Sequence, residues 1–177
     1  MNSFIFPENP TLSWRRALTF HQSYELLSQN ELIGKLRFEE GKKTSLAETT
    51  EGTWIFRNTY LASPHISIWT TRREFVAMFD VDRTGNGTLL LQNGSRLKWE
   101  KARRTHDEWY FKNIVDEKMI QFLPMRNENR YRGSAYLYPE CRKLRNCTLI
   151  TLLGWNIISV LESGRNIKLL TEKSKPR

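Results

Sequence analysis

The run from Leu144 to Leu161, LRNCTLITLLGWNIISVL, limits what this chain can become more than any other segment. It is the only long helical pattern in the sequence, and it is apolar almost all the way round. On a wheel of 3.6 residues per turn, Leu149, Ile150, Leu153, Ile157, Ile158, Val160 and Leu161 cover most of the circumference. Thr148, Thr151, Asn156 and Ser159 share a narrower sector, and Leu152 and Trp155 intrude even there. A helix with no polar face must be surrounded, by protein or by lipid. The most apolar part, Cys147 to Leu161, contains Asn156, Ser159 and two threonines. It falls short of the roughly 20 apolar residues that a membrane span requires. The segment therefore reads as a buried core helix, not as a transmembrane one.

What precedes it reads as strands. Short runs rich in aromatic and β-branched residues lie at 14–20, 23–28, 31–38, 44–50, 53–58, 65–70, 75–81, 86–91, 95–100, 108–113, 118–123 and 131–138. Several alternate. Leu97 and Trp99 oppose Arg96, Lys98 and Glu100, and Ile66 and Ile68 oppose His65, Ser67 and Trp69. Leu32, Gly34, Leu36 and Phe38 are expected on one face, against Ile33, Lys35 and Arg37. Asn93-Gly94 between two alternating runs is the strongest hairpin signal in the chain. Glu40-Gly41, Glu51-Gly52 and Asp116-Glu117 mark further turns.

Spacings this short leave no room for the long crossovers of a parallel sheet. About twelve antiparallel strands must also dispose of their edges, and closure into a barrel removes them. A barrel that wide has a lumen too large for its own side chains to fill. A helix of this length spans about 27 Å at 1.5 Å per residue, close to the height of a small barrel. The lumen needs apolar filling and the helix needs apolar walls. The fold is therefore expected to be mainly β, with about 12 antiparallel strands closed around a buried apolar C-terminal helix at about 144–161. Gly154 would allow close approach of a strand. Residues 1–12, with Pro7 and Pro10, read as a loose leader, 13–163 as a single barrel domain, and 164–177 as a basic tail.

Cys141 and Cys147 form neither a disulfide framework nor a CxxC metal pair, and are expected to be reduced. The N-terminus lacks the charged and apolar regions of a signal peptide. Together these favour the cytoplasm, with the membrane periphery as an extension of it.

The net charge of +9 is concentrated. Residues 96–105 carry +4, 126–145 carry +4 and 162–177 carry +3, so the rest of the chain nets −2. Such a field draws anionic partners, or simply serves solubility. Arg96, Lys98, Lys101, Arg103 and Arg104 are the first candidates for an anion- or lipid-binding rim, with Arg130 and Arg132 next. Each cation near an anionic bilayer contributes about 1 kcal/mol. Nucleic acid would feel the same field, but no motif that reads DNA or RNA is present.

Asp80-Val81-Asp82-Arg83-Thr84 is similar to the DxDxT of haloacid-dehalogenase-type phosphatases, in which the first Asp is the nucleophile. That chemistry belongs to an α/β scaffold, which this pattern of strands does not supply. As a calcium loop the segment fails at its twelfth position, which is Leu91. A polar turn between two strands is the preferred reading. His21, His65 and His106 are scattered without metal spacing, so neither a metal nor a cofactor is expected.

The meander through Tyr138 and the run from Leu149 to Ile158 resemble the tubby C-terminal-like superfamily, which includes tubby domains, phospholipid scramblases and LURP-one-related proteins. The resemblance covers about residues 13–163 and implies a twelve-stranded barrel around a central apolar helix. It further implies phosphoinositide binding or membrane association, and assigns no individual residues. The expected function is a non-enzymatic domain that binds an anionic phospholipid or phosphorylated ligand. The alternatives are a structural or regulatory protein-interaction domain without lipid affinity and, third, a phosphatase using Asp80 and Asp82.

Overall fold

The structure, a computed structural model, describes residues 11–17, 23–39, 43–59, 65–82, 84–102, 108–127, 130–144 and 146–162. Twelve strands come first: β1 (Thr11–Arg16), β2 (Ser23–Ser28), β3 (Glu31–Phe38), β4 (Thr44–Thr49), β5 (Gly52–Thr59) and β6 (His65–Thr70), then β7 (Phe75–Val81), β8 (Gly87–Leu91), β9 (Arg96–Lys101), β10 (Trp109–Lys112), β11 (Lys118–Asn127) and β12 (Arg130–Leu137). A 3-10 helix (Pro139–Lys143) and then α1 (Cys147–Glu162) follow. Each strand pairs antiparallel with its sequence neighbour, and β12 returns to β1, with Thr11 opposite Tyr136 and Trp14 opposite Gly133. The barrel is closed and has no free edge.

α1 fills the lumen. Leu152 and Leu153 are fully buried, and Trp155 and Ile158 are 1% exposed. Two glycines make the fit. A Cβ at Gly154 would collide with the Phe122 ring, and one at Gly133 would lie 2.6 Å from the Trp155 ring. Helix and wall thus approach closely at two levels. The polar sector of the helix is bonded only in part, because Asn156 Nδ2 is buried without a hydrogen-bond partner among the described residues. Thr151 donates its hydroxyl to the Cys147 carbonyl at 2.9 Å, and Ser45 of β4 donates to Asn156 Oδ1 at 2.6 Å.

The turns lie at two ends. The β2–β3, β4–β5, β6–β7, β8–β9 and β10–β11 turns share the end where the 3-10 helix follows β12, here the helix-start end. The other connections lie at the opposite end.

Four expectations are revised. β1 begins at Thr11, not at residue 14, because Leu12 (0% exposed) and Trp14 (2%) alternate into the core. The tail expected after 163 and residues 1–10 lie outside the described residues. In β3, Leu32 is 42% exposed while Ile33 is buried at 4%. The register of β2 against β3 shifts between Leu26 and Leu27, and a shift of one residue exchanges the two faces.

The helix begins at Cys147, not Leu144. Leu144 is extended and Asn146 is left-handed (φ 69°), so no helix passes through them. That same reversal overturns the expectation of reduced cysteines. Cys141 and Cys147 are joined by a disulfide with Cα atoms 6.1 Å apart, within bridging range, and both are buried. A continuous helix would have held them apart. The bond removes one ground for a cytoplasmic location, since lasting disulfides belong to oxidising surroundings. Among the described residues no helix is long and apolar enough to cross a membrane.

Candidate functional site

With the lumen filled, the chemistry available to a ligand is on the outside. β9 presents Arg96, Lys98 and Glu100 outward, while Leu97 (2% exposed) and Trp99 (0%) point in. Arg96 is exposed. Lys98 donates to Asp116 Oδ1 at 2.8 Å. This bond raises the Lys98 ammonium above its ordinary pKa and lowers the Asp116 carboxyl below its own. Beside it Lys112 of β10 meets Glu100 at 2.6 Å. Two of the cations on this face are thus already paired.

Lys101 stands at the far end of β9, with its ammonium 5.5 Å from the centre of the Trp109 ring. Arg132 is exposed on β12, opposite Met125, which is 58% exposed. β10 and β11 separate it from β9, about 14 Å at roughly 4.8 Å per strand. Arg130 is placed by its backbone opposite Asn127, and its side chain lies outside the described residues, as do Arg103 and Arg104 entirely. The candidate set therefore divides. Arg96 and Lys98 sit toward the helix-start end, and Lys101 and Arg132 toward the opposite end. Among the described residues Arg96, Lys101 and Arg132 have no acidic partner.

The DxDxT segment is a turn. Asp82 Oδ1 accepts from the Thr84 backbone N–H (2.8 Å), the Thr84 hydroxyl (2.6 Å) and the Asn86 backbone N–H (3.0 Å), and Gly85 takes φ 84°. The carboxylate that would act as acid and base is spent on holding the backbone. Asp80, two residues earlier, is exposed on β7 and opposite Thr88. The two carboxylates, Thr88, Lys98 and Glu100 line an open hollow of about 430 Å³. Among the described residues no group of three His, Cys, Asp or Glu could hold a metal ion.

Two outer features escape the sequence reading. The first is a hydrogen-bonded patch across β10, β11 and the start of the 3-10 segment. Tyr110 donates to Glu108 at 2.5 Å, Gln121 donates to the Tyr110 oxygen at 3.3 Å, and Tyr138 donates to Gln121 Oε1 at 3.2 Å. Burial, then the Glu108 bond, pushes the Tyr110 phenol well above its ordinary pKa, and burial raises Tyr138 as well. Nothing in sequence spacing ties residues on separate strands into such a network. The second is the β10–β11 turn, where Ile114 and Val115 are each 67% exposed. Its signal was legible: two β-branched aliphatic residues stand between Asn113 and Asp116, where turns prefer polar types.

Compared with known proteins, the chain matches no family model, no curated protein and no solved structure.

Proposed function

We propose that this chain is a non-enzymatic binding domain for anionic phospholipid, or for a phosphorylated ligand of the same chemistry, docked on the outside of the barrel. The filled lumen carries this reading. Leu152, Leu153 and Trp155 occupy the space in which a hollow barrel would hold a small molecule, so recognition falls to the exterior. That exterior belongs to a chain of net charge +9, and Arg96, Lys101 and Arg132 stand exposed on it without an acidic partner among the described residues. Guanidinium and ammonium groups free of carboxylates are the groups that phosphate recruits. The closed twelve-stranded barrel around a C-terminal helix also supports the resemblance to the tubby C-terminal-like superfamily, and we extend the proposal to that kinship.

Co-sedimentation with liposomes tests it. Anionic vesicles should retain the protein, neutral vesicles should not, and retention should fall between low and physiological salt. Reversing Arg96 together with Arg103 and Arg104 to glutamate should release it. Equal behaviour on anionic and neutral vesicles would make the charge a solubility feature and direct attention to protein partners.

A further inference from the structure

We propose that the β10–β11 turn is a membrane-insertion tip: Ile114 and Val115 enter the interfacial layer of an anionic bilayer, while Arg96 and Lys118 lie at the level of the phosphates. The inference rests on the lipid-surface reading and gives it an orientation. Ile114 and Val115 are the most exposed large hydrophobics among the described residues. Their exposure is held in place by polar bonds in which their own side chains take no part. Asn113 Oδ1 accepts from the backbone N–H of Val115 (3.1 Å) and of Glu117 (2.9 Å), and Asn113 Nδ2 donates to Glu117 at 2.7 Å. Backbone bonds from Asn113 to the Glu117 carbonyl and from Asp116 to the Asn113 carbonyl close the turn. Asp116, left-handed at φ 64°, is anchored to Lys98 at 2.8 Å. The side chains that build the turn are Asn113, Asp116 and Glu117. The two aliphatic ones are offered outward on a braced frame, so little ordering entropy remains to be lost on insertion.

The surroundings fit a bilayer better than an apolar protein groove. Lys112 is the last residue of β10 and Lys118 the first of β11, opposite each other across the turn. Lys112 is held by Glu100 at 2.6 Å, while the Lys118 ammonium, 4.4 Å from the centre of the Tyr110 ring, has no carboxylate partner among the described residues and can reach the phosphates. Around the tip Arg96, Lys98, Lys112 and Lys118 outnumber Glu100, Asp116 and Glu117. The 3-10 helix, which packs on β11, adds Glu140, Arg142 and Lys143, a net charge of +1, to the sequence of the same end. An apolar point in a moderately basic collar suits a surface that is negative outside and apolar just beneath. The barrel would stand with its helix-start end toward the membrane, so that of the unpaired cations Arg96 faces the phosphates while Lys101 and Arg132, at the opposite end, face away.

The full chain is tested on vesicles of phosphatidylcholine with phosphatidylserine and a phosphoinositide, against phosphatidylcholine alone. Both native cysteines are engaged in the disulfide, so Val115→Cys introduces a single free thiol for an environment-sensitive dye. The double variant Ile114→Asp, Val115→Asp should bind anionic vesicles at least about tenfold more weakly, as expected when two aliphatic side chains lose their burial. Its far-UV spectrum should be unchanged, because both residues are exposed. The dye at position 115 should shift to the blue on anionic vesicles and resist an aqueous quencher. If wild type binds but the double variant binds equally and the dye stays in water, the tip is overturned and the lipid reading stands. If wild type binds no vesicle, the lipid reading fails and the tip fails with it.

Discussion

The Trp155 indole on the central helix lies flat against Trp14 of β1, with ring centroids 4.9 Å apart and planes 10° from parallel. Tyr24 of β2 meets the same ring edge-on at 6.0 Å. One helical side chain therefore joins the plug to the strands beside the β1–β12 closure, where Gly133 leaves room for it.

Truncating that contact should be costly. Trp155→Ala is expected to lower stability by about 3–5 kcal/mol, the range for removing a large aromatic from a core. Chemical denaturation followed by far-UV circular dichroism measures it. Trp155→Phe should recover more than half of the loss. Equal losses for the two substitutions would show that the stack contributes little beyond the indole's own burial.

The opposite error should also destabilise. Gly154→Ala places a methyl group into the Phe122 ring. Overpacking of a close-fitted core costs about 1–3 kcal/mol, even though alanine is the better helix former by about 1 kcal/mol. Phe122→Leu in the same chain should relieve the collision. A double-mutant cycle should then show a favourable coupling, and additive effects would show that the ring moves aside unaided.

The Cys141–Cys147 disulfide closes a short loop just ahead of the helix. Chain-entropy arguments assign such a loop about 2 kcal/mol. Reduction, or paired substitution by serine, should lower the melting temperature without changing the fold. Alkylation under denaturing conditions without reductant should label neither thiol in the native material. Labelling of both would contradict the bond.

Tyr110 supplies a pH signature. Its phenol is neutral in the fold to well above its ordinary pKa, because burial and the Glu108 carboxylate oppose ionisation. The unfolded chain ionises this group near pH 10. Below that pH both states hold the proton and its contribution is full. Above it the unfolded state releases the proton first, so stability should fall as pH rises from about 10 toward the folded value. Tyr110→Phe should flatten that decline, and the tyrosinate absorbance of wild type should rise later than that of the denatured chain. Coincident titrations would remove the effect.

Much of the barrel is legible along the chain. Alternation at Ile66–Ile68 and Leu97–Trp99 correctly assigns the inner face, because a side chain's side of a strand follows from period two alone. The Asn93-Gly94 turn forms as its residues require, with Gly94 at φ 84° and Ser95 N–H donating to Asn93 Oδ1 at 3.0 Å. The all-round apolarity of Leu149 to Ile158 dictates enclosure, and enclosure within this many short strands leads to the lumen. What escapes is whatever depends on register or on a reversal of the chain. Leu32 and Ile33 exchange exposure because β2 slips by one residue against β3, a choice made by partners and not by either strand. The cysteines meet because the left-handed Asn146 turns the chain between them, a reversal that spacing along the sequence does not reveal. The candidate basic residues show the same boundary. The outward orientation of Arg96 and Lys98 follows from the alternation of their strand, but only the assembled barrel brought Asp116 to Lys98 and Glu100 to Lys112 while leaving Arg96 and Arg132 without an acidic partner among the described residues. Local pattern determines which way a side chain points, whereas its electrostatic neighbours come from strands distant in the chain, and tertiary closure chose them.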